Sequence, residues 1–381
     1  MATGTTQPDF TRRRRGRRYR YVVTLLLFVA LIGGWSWFWD YASGRAHATI
    51  DAWRAREAKA GRIYNCGSET IGGYPFRLEV ECDKASAAFQ SNQPPLELKT
   101  AHILAAVQVY DPTLLIAELT GPLTVADPGG APKFEANWRL MQSSIRGTPA
   151  APQRVSIVFE DPNLDRVGGA VRQTLVSAKH LELHGRIIEG SAASQPVIEA
   201  VLRFTGASAP AYAPSAVQPA DADITAVLHG LSDFAPKPWA DRFRDIQAAG
   251  GHIDITKARV AQGETIAVGS GKLTLNAQGR LEGQLTVTVT GVDAFLTEIG
   301  AQRAVQQSKP MDRLAGALDR LAPGLGDVAR QQAGANIGFG LNLIGEPSTL
   351  ENRPAVTLPL RFTDGAMFLG PIPLGNAPAL F

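Results

Sequence analysis

The run Tyr21 to Trp39, YVVTLLLFVALIGGWSWFW, is 19 residues without a charged side chain, close to the roughly 20 residues that a helix needs to cross about 30 Å of hydrocarbon. It predicts a transmembrane helix, and that one element sets the solvent of everything around it. Arg12, Arg13, Arg14, Arg15, Arg17, Arg18 and Arg20 stand immediately before it. Arginines in a short flank stay cytoplasmic. The chain is therefore expected to cross the inner membrane once, with its amino terminus in the cytoplasm and its bulk in the periplasm. Tyr21 at one end and Trp35, Trp37 and Trp39 at the other, with Tyr41 beyond them, suit the headgroup layers where amphipathic rings are favoured. Ala46-His47-Ala48 has the small-x-small spacing of a signal-peptide cleavage site, but the apolar run exceeds the roughly 7 to 15 residues of a signal core, which favours an uncleaved anchor. The arginine run is too redundant to specify twin-arginine export and reads as topogenic charge.

The arginines also explain the net charge of +3: they supply seven positive charges against Asp9 alone, and the remaining chain carries 31 basic and 34 acidic residues. A near-neutral body lacks the basic face that phosphate binding requires, so nucleic acid is not an expected partner. With 38 Gly, 25 Pro and 19% charged residues, the composition suits a turn-rich fold of many short strands better than a helical bundle.

After a basic tail (1–20) and the span (21–39), residues 40–62 read as a helical stalk with Ala46, Ile50 and Trp53 on a narrow apolar stripe. From Ile63 the hydrophobic period changes to two, and turn signals such as Tyr110-Asp-Pro, Asp127-Pro-Gly-Gly and Asp161-Pro-Asn follow at close spacing. The expected fold is mainly β (α+β): a transmembrane helix and stalk followed by a large, curved antiparallel sheet with a few docked helices. Gly271 to Gly291 predicts a hairpin around Asn276 to Gly279, and helices are expected at Pro238 to Ala249, Val292 to Ile299 and Met311 to Leu321. Two β-rich regions, 63–205 and 224–381, flank an Ala/Pro-rich stretch at 206–223 that is either a linker or a long loop inside one domain.

No catalytic motif is present. Val268-Gly-Ser-Gly-Lys-Leu fails as a phosphate loop, because Ile266 stands where its first glycine belongs and Leu273 where its Ser/Thr belongs. His180, Glu182 and His184 share one face of a strand but lack further ligands at useful spacing, so they read as a solvated face rather than a zinc site. No cofactor is implied. The uncharged tail Gly365 to Phe381, with Phe368, Leu369, Ile372 and Leu374, is either a buried extended edge or an apolar lip for a ligand or partner.

Cys66 and Cys82 are the two cysteines of the chain. In an oxidising periplasm a disulfide is the leading reading, since a redox site favours Cys-x-x-Cys and zinc needs more ligands. Phe76, Leu78, Val80 and Cys82 are expected on the buried face of the first long strand, so that the bridge ties the stalk exit to the sheet.

Gly72-Gly-Tyr-Pro-Phe-Arg-Leu-Glu-Val-Glu-Cys82 and Asp364-Gly-Ala-Met-Phe-Leu-Gly-Pro-Ile-Pro-Leu-Gly375, together with the anchor, resemble an alphaproteobacterial family of membrane-anchored proteins of unknown function. The resemblance implies an envelope protein and carries no catalytic residues. The pattern of Gly271 to Gly291 also looks like segments of AsmA-like envelope proteins, which are associated with lipid handling between membranes. Two roles follow as expectations: a module binding lipid or another hydrophobic ligand, or a scaffold for an envelope protein partner.

Overall fold

A computed structural model describes residues 12–92, 94–147, 151–212, 214–235, 237–291, 327, 345–370 and 372–381. The helix α1 (Arg12–Lys59) contains the whole apolar run 21–39 and runs on without a break through most of the expected stalk. Inside hydrocarbon every backbone group must be paired within its own segment. Gly33, Gly34 and Gly44 have no neighbouring atom within 4 Å, so they thin the helix without interrupting it. Beyond that run the Ala-, Arg- and Glu-rich sequence sustains the helix by intrinsic preference.

The rest is antiparallel sheet. β1 (Arg62–Asn65) and β2 (Ser68–Gly72) lie end to end on β3 (Arg77–Phe89), which pairs with β4 (Leu96–Gln108). These short edge strands are covered by α1, a common protection for an otherwise open edge. Trp53 of α1 packs 4.7 Å from Tyr64 of β1, and Arg54 forms an ion pair with Glu69 of β2.

The following strands are β5 (Asp111–Thr120), β6 (Leu123–Ala126), β7 (Pro132–Asn137), β8 (Leu140–Arg146), β9 (Arg154–Glu160), β10 (Asn163–Arg166), β11 (Gln173–Ser177), β12 (His180–Ser191) and β13 (Ser194–Ala207). After a short 3-10 turn at Pro214–Val217 come β14 (Ala220–Leu228), α2 (Trp239–Ala248), β15 (His252–Gln262), β16 (Thr265–Leu275) and β17 (Leu281–Thr290). The described chain closes with β18 (Glu346–Leu350), β19 (Arg353–Thr363), β20 (Ala366–Leu369) and β21 (Ile372–Asn376). The main ladder runs β3-β4-β5-β8-β9-β12-β13-β14-β15-β16-β17-β19-β20-β21.

The sheet alternates cleanly between faces. Met141, Phe159, Leu181, Phe204 and Ala222 stand opposite one another across β8, β9, β12, β13 and β14, and on the other face Gln142, Val158, Glu182, Arg203 and Asp223 do the same. The apolar row lines the interior and the mostly polar row meets water. The expected hairpin is formed by β16 and β17, which pair as far as Leu275 and Leu281. The Ala/Pro-rich stretch contributes residues to both β13 and β14, which pair from Ile198 with Leu228 to Ala207 with Ala220. Of the three expected helices, Pro238 to Ala249 appears as α2, and the other two lie outside the described residues.

One expectation needs correction. Phe76 does not join Leu78, Val80 and Cys82 on the buried face, because β3 begins only at Arg77 and Phe76 closes the preceding turn, where its ring is exposed. That turn depends on Gly73, whose φ is +94° and where a Cβ would stand 2.6 Å from the Arg77 carbonyl oxygen. Gly73→Ala is expected to destabilise the protein by about 1–2 kcal/mol, the usual cost of forcing a side chain into the left-handed region. The readout is a lower urea midpoint at unchanged slope.

Candidate functional site

The sheet forks at β4. Its first residues, Glu97 to Lys99, pair with β6, whereas His102 to Gln108 pair with β5. Thr100 stands at the fork, buried, and its hydroxyl donates to the Thr120 carbonyl at 2.6 Å. From there β6, β7, β10 and β11 form a branch separate from the main ladder. The branch rejoins at Ser177 and Ser208, which exchange backbone hydrogen bonds of 2.9 and 2.8 Å, and whose hydroxyls lie 3.0 Å apart. The strands β4, β6, β7, β10, β11, β13, β12, β9, β8 and β5 thus close a circuit, a small barrel within a larger open sheet.

A cavity of about 730 Å³ opens at the Ser177–Ser208 end of this circuit, where Ala209, Ala216, Gln218, Ala220 of β14 and Gln262 of β15 complete its wall. Leu123, Trp138, Met141, Phe159, Leu181 and Phe204 supply its apolar wall, and no charged residue among those described lines it. Several polar groups on the wall are already engaged. The Trp138 indole N–H donates to the Leu119 carbonyl at 2.7 Å, Asn137 donates to Glu135 at 3.0 Å, and Gln262 donates to the Gln218 carbonyl at 2.8 Å. Trp138 and Phe159 meet edge to face at 5.5 Å, which fixes both rings. What remains facing the cavity is mostly apolar surface, suited to a ligand recognised by burial rather than by charge.

A larger cavity of about 1200 Å³ lies between α2 and the strands β1, β6 and β7. It has cations on its wall, but each is partnered. Arg62 binds Glu57, Lys133 binds Asp127 at 2.6 Å, Lys237 binds Asp245 at 2.7 Å, and Arg242 donates to the Asp233 carbonyl at 2.6 Å. An anion would have to displace these contacts.

His180, Glu182 and His184 lie on the outer face of β12, as expected for a solvated strand. Glu182 accepts from His184 at 3.0 Å and from His180 at 2.9 Å, and these imidazoles hold its carboxyl down to about 2. The hydrogen bond to Glu182, with a second to Glu160, raises His180 above its ordinary 6.5. Both ring nitrogens of His180 are used in these bonds. A raised histidine stabilises the fold fully below its unfolded value and loses that contribution as pH rises through its folded value; a depressed carboxyl does so above its own unfolded value. The stability gap between wild type and Glu182→Gln should therefore be widest from about pH 4.5 to 6.5. It should narrow above that window and again toward pH 2, and a gap that is flat with pH in urea unfolding contradicts this account.

A second cluster escaped the sequence reading. His229 and His252 stack at 4.4 Å, and their Nε2 atoms lie 3.5 and 3.3 Å from Asp254 Oδ2. Among the described residues this is the group whose ligand atoms all fall within 4.8 Å of one another. The rings are within 16° of parallel, which points their lone pairs side by side rather than at one centre, and Lys272 approaches the other Asp254 oxygen at 3.6 Å. The cluster reads as an ionic patch at the start of β15. His252 and Asp254 share a strand face by their alternate spacing, but His229 reaches them only through the pairing of the chain after β14 with β15, which spacing does not show.

At the head of the domain the anchor tryptophans divide into two kinds. Trp37, like Tyr21, is exposed, whereas Trp35 donates to the Pro75 carbonyl at 2.9 Å and Trp39 to the Arg77 carbonyl at 3.2 Å. Ser36 and Tyr74 hydroxyls are 2.9 Å apart, and Trp39 meets Tyr74 edge to face at 5.6 Å. The Gly72 to Arg77 turn is thus clamped to the helix where the apolar run ends. Cys66 and Cys82 form a disulfide with Cα atoms 5.4 Å apart, and Arg54 lies 3.3 Å from the Cys66 sulfur. Of the tail residues, Leu369 is buried, Phe368 and Leu374 are half-buried, and Ile372 opens β21.

Residues 39–378 match the model of a family described as an uncharacterized protein conserved in bacteria, DUF2125. The chain belongs to the DUF2125 family. The match takes in α1 from Trp39 onward and nearly all of the sheet, so the forked sheet and its cavity lie within the DUF2125 region. No curated protein and no solved structure matches the chain.

Proposed function

We propose that this DUF2125 protein is a single-pass inner-membrane protein whose periplasmic domain binds a lipid or comparable hydrophobic molecule. The observation carrying this reading is the apolar cavity that opens beside the Ser177–Ser208 bridge. Its volume of about 730 Å³ falls in the roughly 300–1,000 Å³ range of small-molecule sites. A barrel of this kind can hold one small ligand where side chains leave its interior unfilled. The α1 span, with its exposed leucines and the preceding arginines, supports the membrane attachment and the cytoplasmic amino terminus. The proposed role is binding rather than catalysis: among the described residues the wall carries apolar and neutral polar side chains.

The test is to transfer the full chain from its native membrane into nanodiscs, wash it, and analyse the released molecules by mass spectrometry. A stoichiometric hydrophobic species beyond the disc lipids is expected. Repeated recovery of disc lipids alone, with no exchange of an added fluorescent fatty acid, counts against the reading.

A further inference from the structure

The turn between β2 and β3 and the turn between β4 and β5 lie side by side, joined by a hydrogen bond of 3.0 Å from the Val109 N–H to the Phe76 carbonyl. Each presents aromatic side chains to solvent: Tyr74 is 51% exposed, Phe76 65% and Tyr110 74%. Large apolar rings grouped at one tip are unusual on a surface that meets only water. The first turn is held to α1 at Trp35 and Trp39, the end of its uncharged run, and the second is tied to the first; Trp37 and Tyr41 are exposed on the same stretch of helix. The nearby carboxylate, Asp111, is hydrogen-bonded by Thr113 at 2.5 Å and faces Arg146 at 3.5 Å, so the tip carries no bare negative charge at that position.

We infer that Tyr74, Phe76 and Tyr110 insert into the headgroup layer of the bilayer that α1 crosses, forming a second membrane contact made by the domain itself. The occupant is lipid rather than a protein because the patch is continuous with the anchor and at its depth. Aromatic rings with a polar tip also favour that layer. This rests on α1 being a membrane span.

The contact fixes the domain's orientation. From Asp111 beside the tip, β5 runs away from the membrane to Leu119 on the cavity wall, a reach of no more than about 26 Å at the usual rise per residue. The cavity is held off the bilayer at the far end of the strands. A hinge-like sway on α1 alone is removed, because the domain is pinned at both the helix and the turns.

Site-directed spin labelling tests this on the full chain in vesicles of phosphatidylethanolamine with a minority of phosphatidylglycerol. Cys66 and Cys82 are bridged, so an introduced cysteine is the one free thiol available for labelling. Labels at Phe76→Cys and Tyr110→Cys are expected to collide several-fold more with oxygen, relative to a water-soluble nickel chelate, than a label at Tyr212→Cys. Tyr212 is 71% exposed in the loop at the other end of the strands. A label at Leu27→Cys, within the apolar run, reports the span separately. If positions 76 and 110 behave like 212 while 27 is shielded from nickel, the domain contact is wrong and the span stands. If 27 is open to nickel, the span reading and the contact both fall.

Discussion

Serine at both Cys66 and Cys82 is expected to cost about 3 kcal/mol of stability, the loop-entropy value for a closed segment of roughly 15 residues. The bridge sits where little else holds the chain. Cys66 lies between β1 and β2, strands of four and five residues that contact α1 beyond its apolar run. Cys82 is buried on β3 opposite Ile103 of β4, so the disulfide fastens a weak edge to a strand paired on both sides. The loss should appear in urea unfolding of the full chain in detergent micelles, and as faster proteolysis around residues 62–72. Free thiols at both positions in protein isolated from its native cells, or an unchanged urea midpoint in the double variant, refutes the assignment.

Tryptophan in place of Val176 is expected to remove most of the bound hydrophobic ligand while leaving the fold cooperative. Val176 faces the cavity from β11, and its neighbour Leu175 is buried on the opposite side of that strand. The larger ring therefore enters space a ligand would use, whereas the same change at Leu175 would strain packed core. Overpacking of a filled interior costs about 1–3 kcal/mol. An indole that enters open space escapes most of that cost, and a clash of about 1.4 kcal/mol with the ligand lowers its affinity tenfold. The measurement is paired: mass spectrometry of released ligand, and the thermal midpoint. Ligand retained at wild-type level places it elsewhere; a large drop in midpoint with no change in ligand shows that the cavity is a core defect and not a site.

The two kinds of result were legible in the sequence to different degrees. The long apolar helix was readable because a charge-free run of this length has the composition that hydrocarbon would impose on a crossing helix. The strands were readable because alternation has a period of two and turn residues punctuate it, as at Asn276 to Gly279. The fate of Phe76 was misjudged because alternation says which residues share a face but not where a strand starts. Trp35 and Trp39 looked like lipid anchors equal to Trp37, yet their indoles bind backbone carbonyls of a turn some 38 to 40 residues later.

By itself, then, the sequence determined the long apolar helix, the predominance of antiparallel strands and the position of the one possible disulfide. Each follows from composition or short-range periodicity. The fork at Thr100, the closing bridge between Ser177 and Ser208, and the cavity beside that bridge were decided only by the tertiary structure. Their cause is the choice of partner for each strand edge. Backbone N–H and C=O groups carry no sequence label, so that choice is settled only when the whole sheet finds the register that buries its apolar face and leaves its polar groups paired.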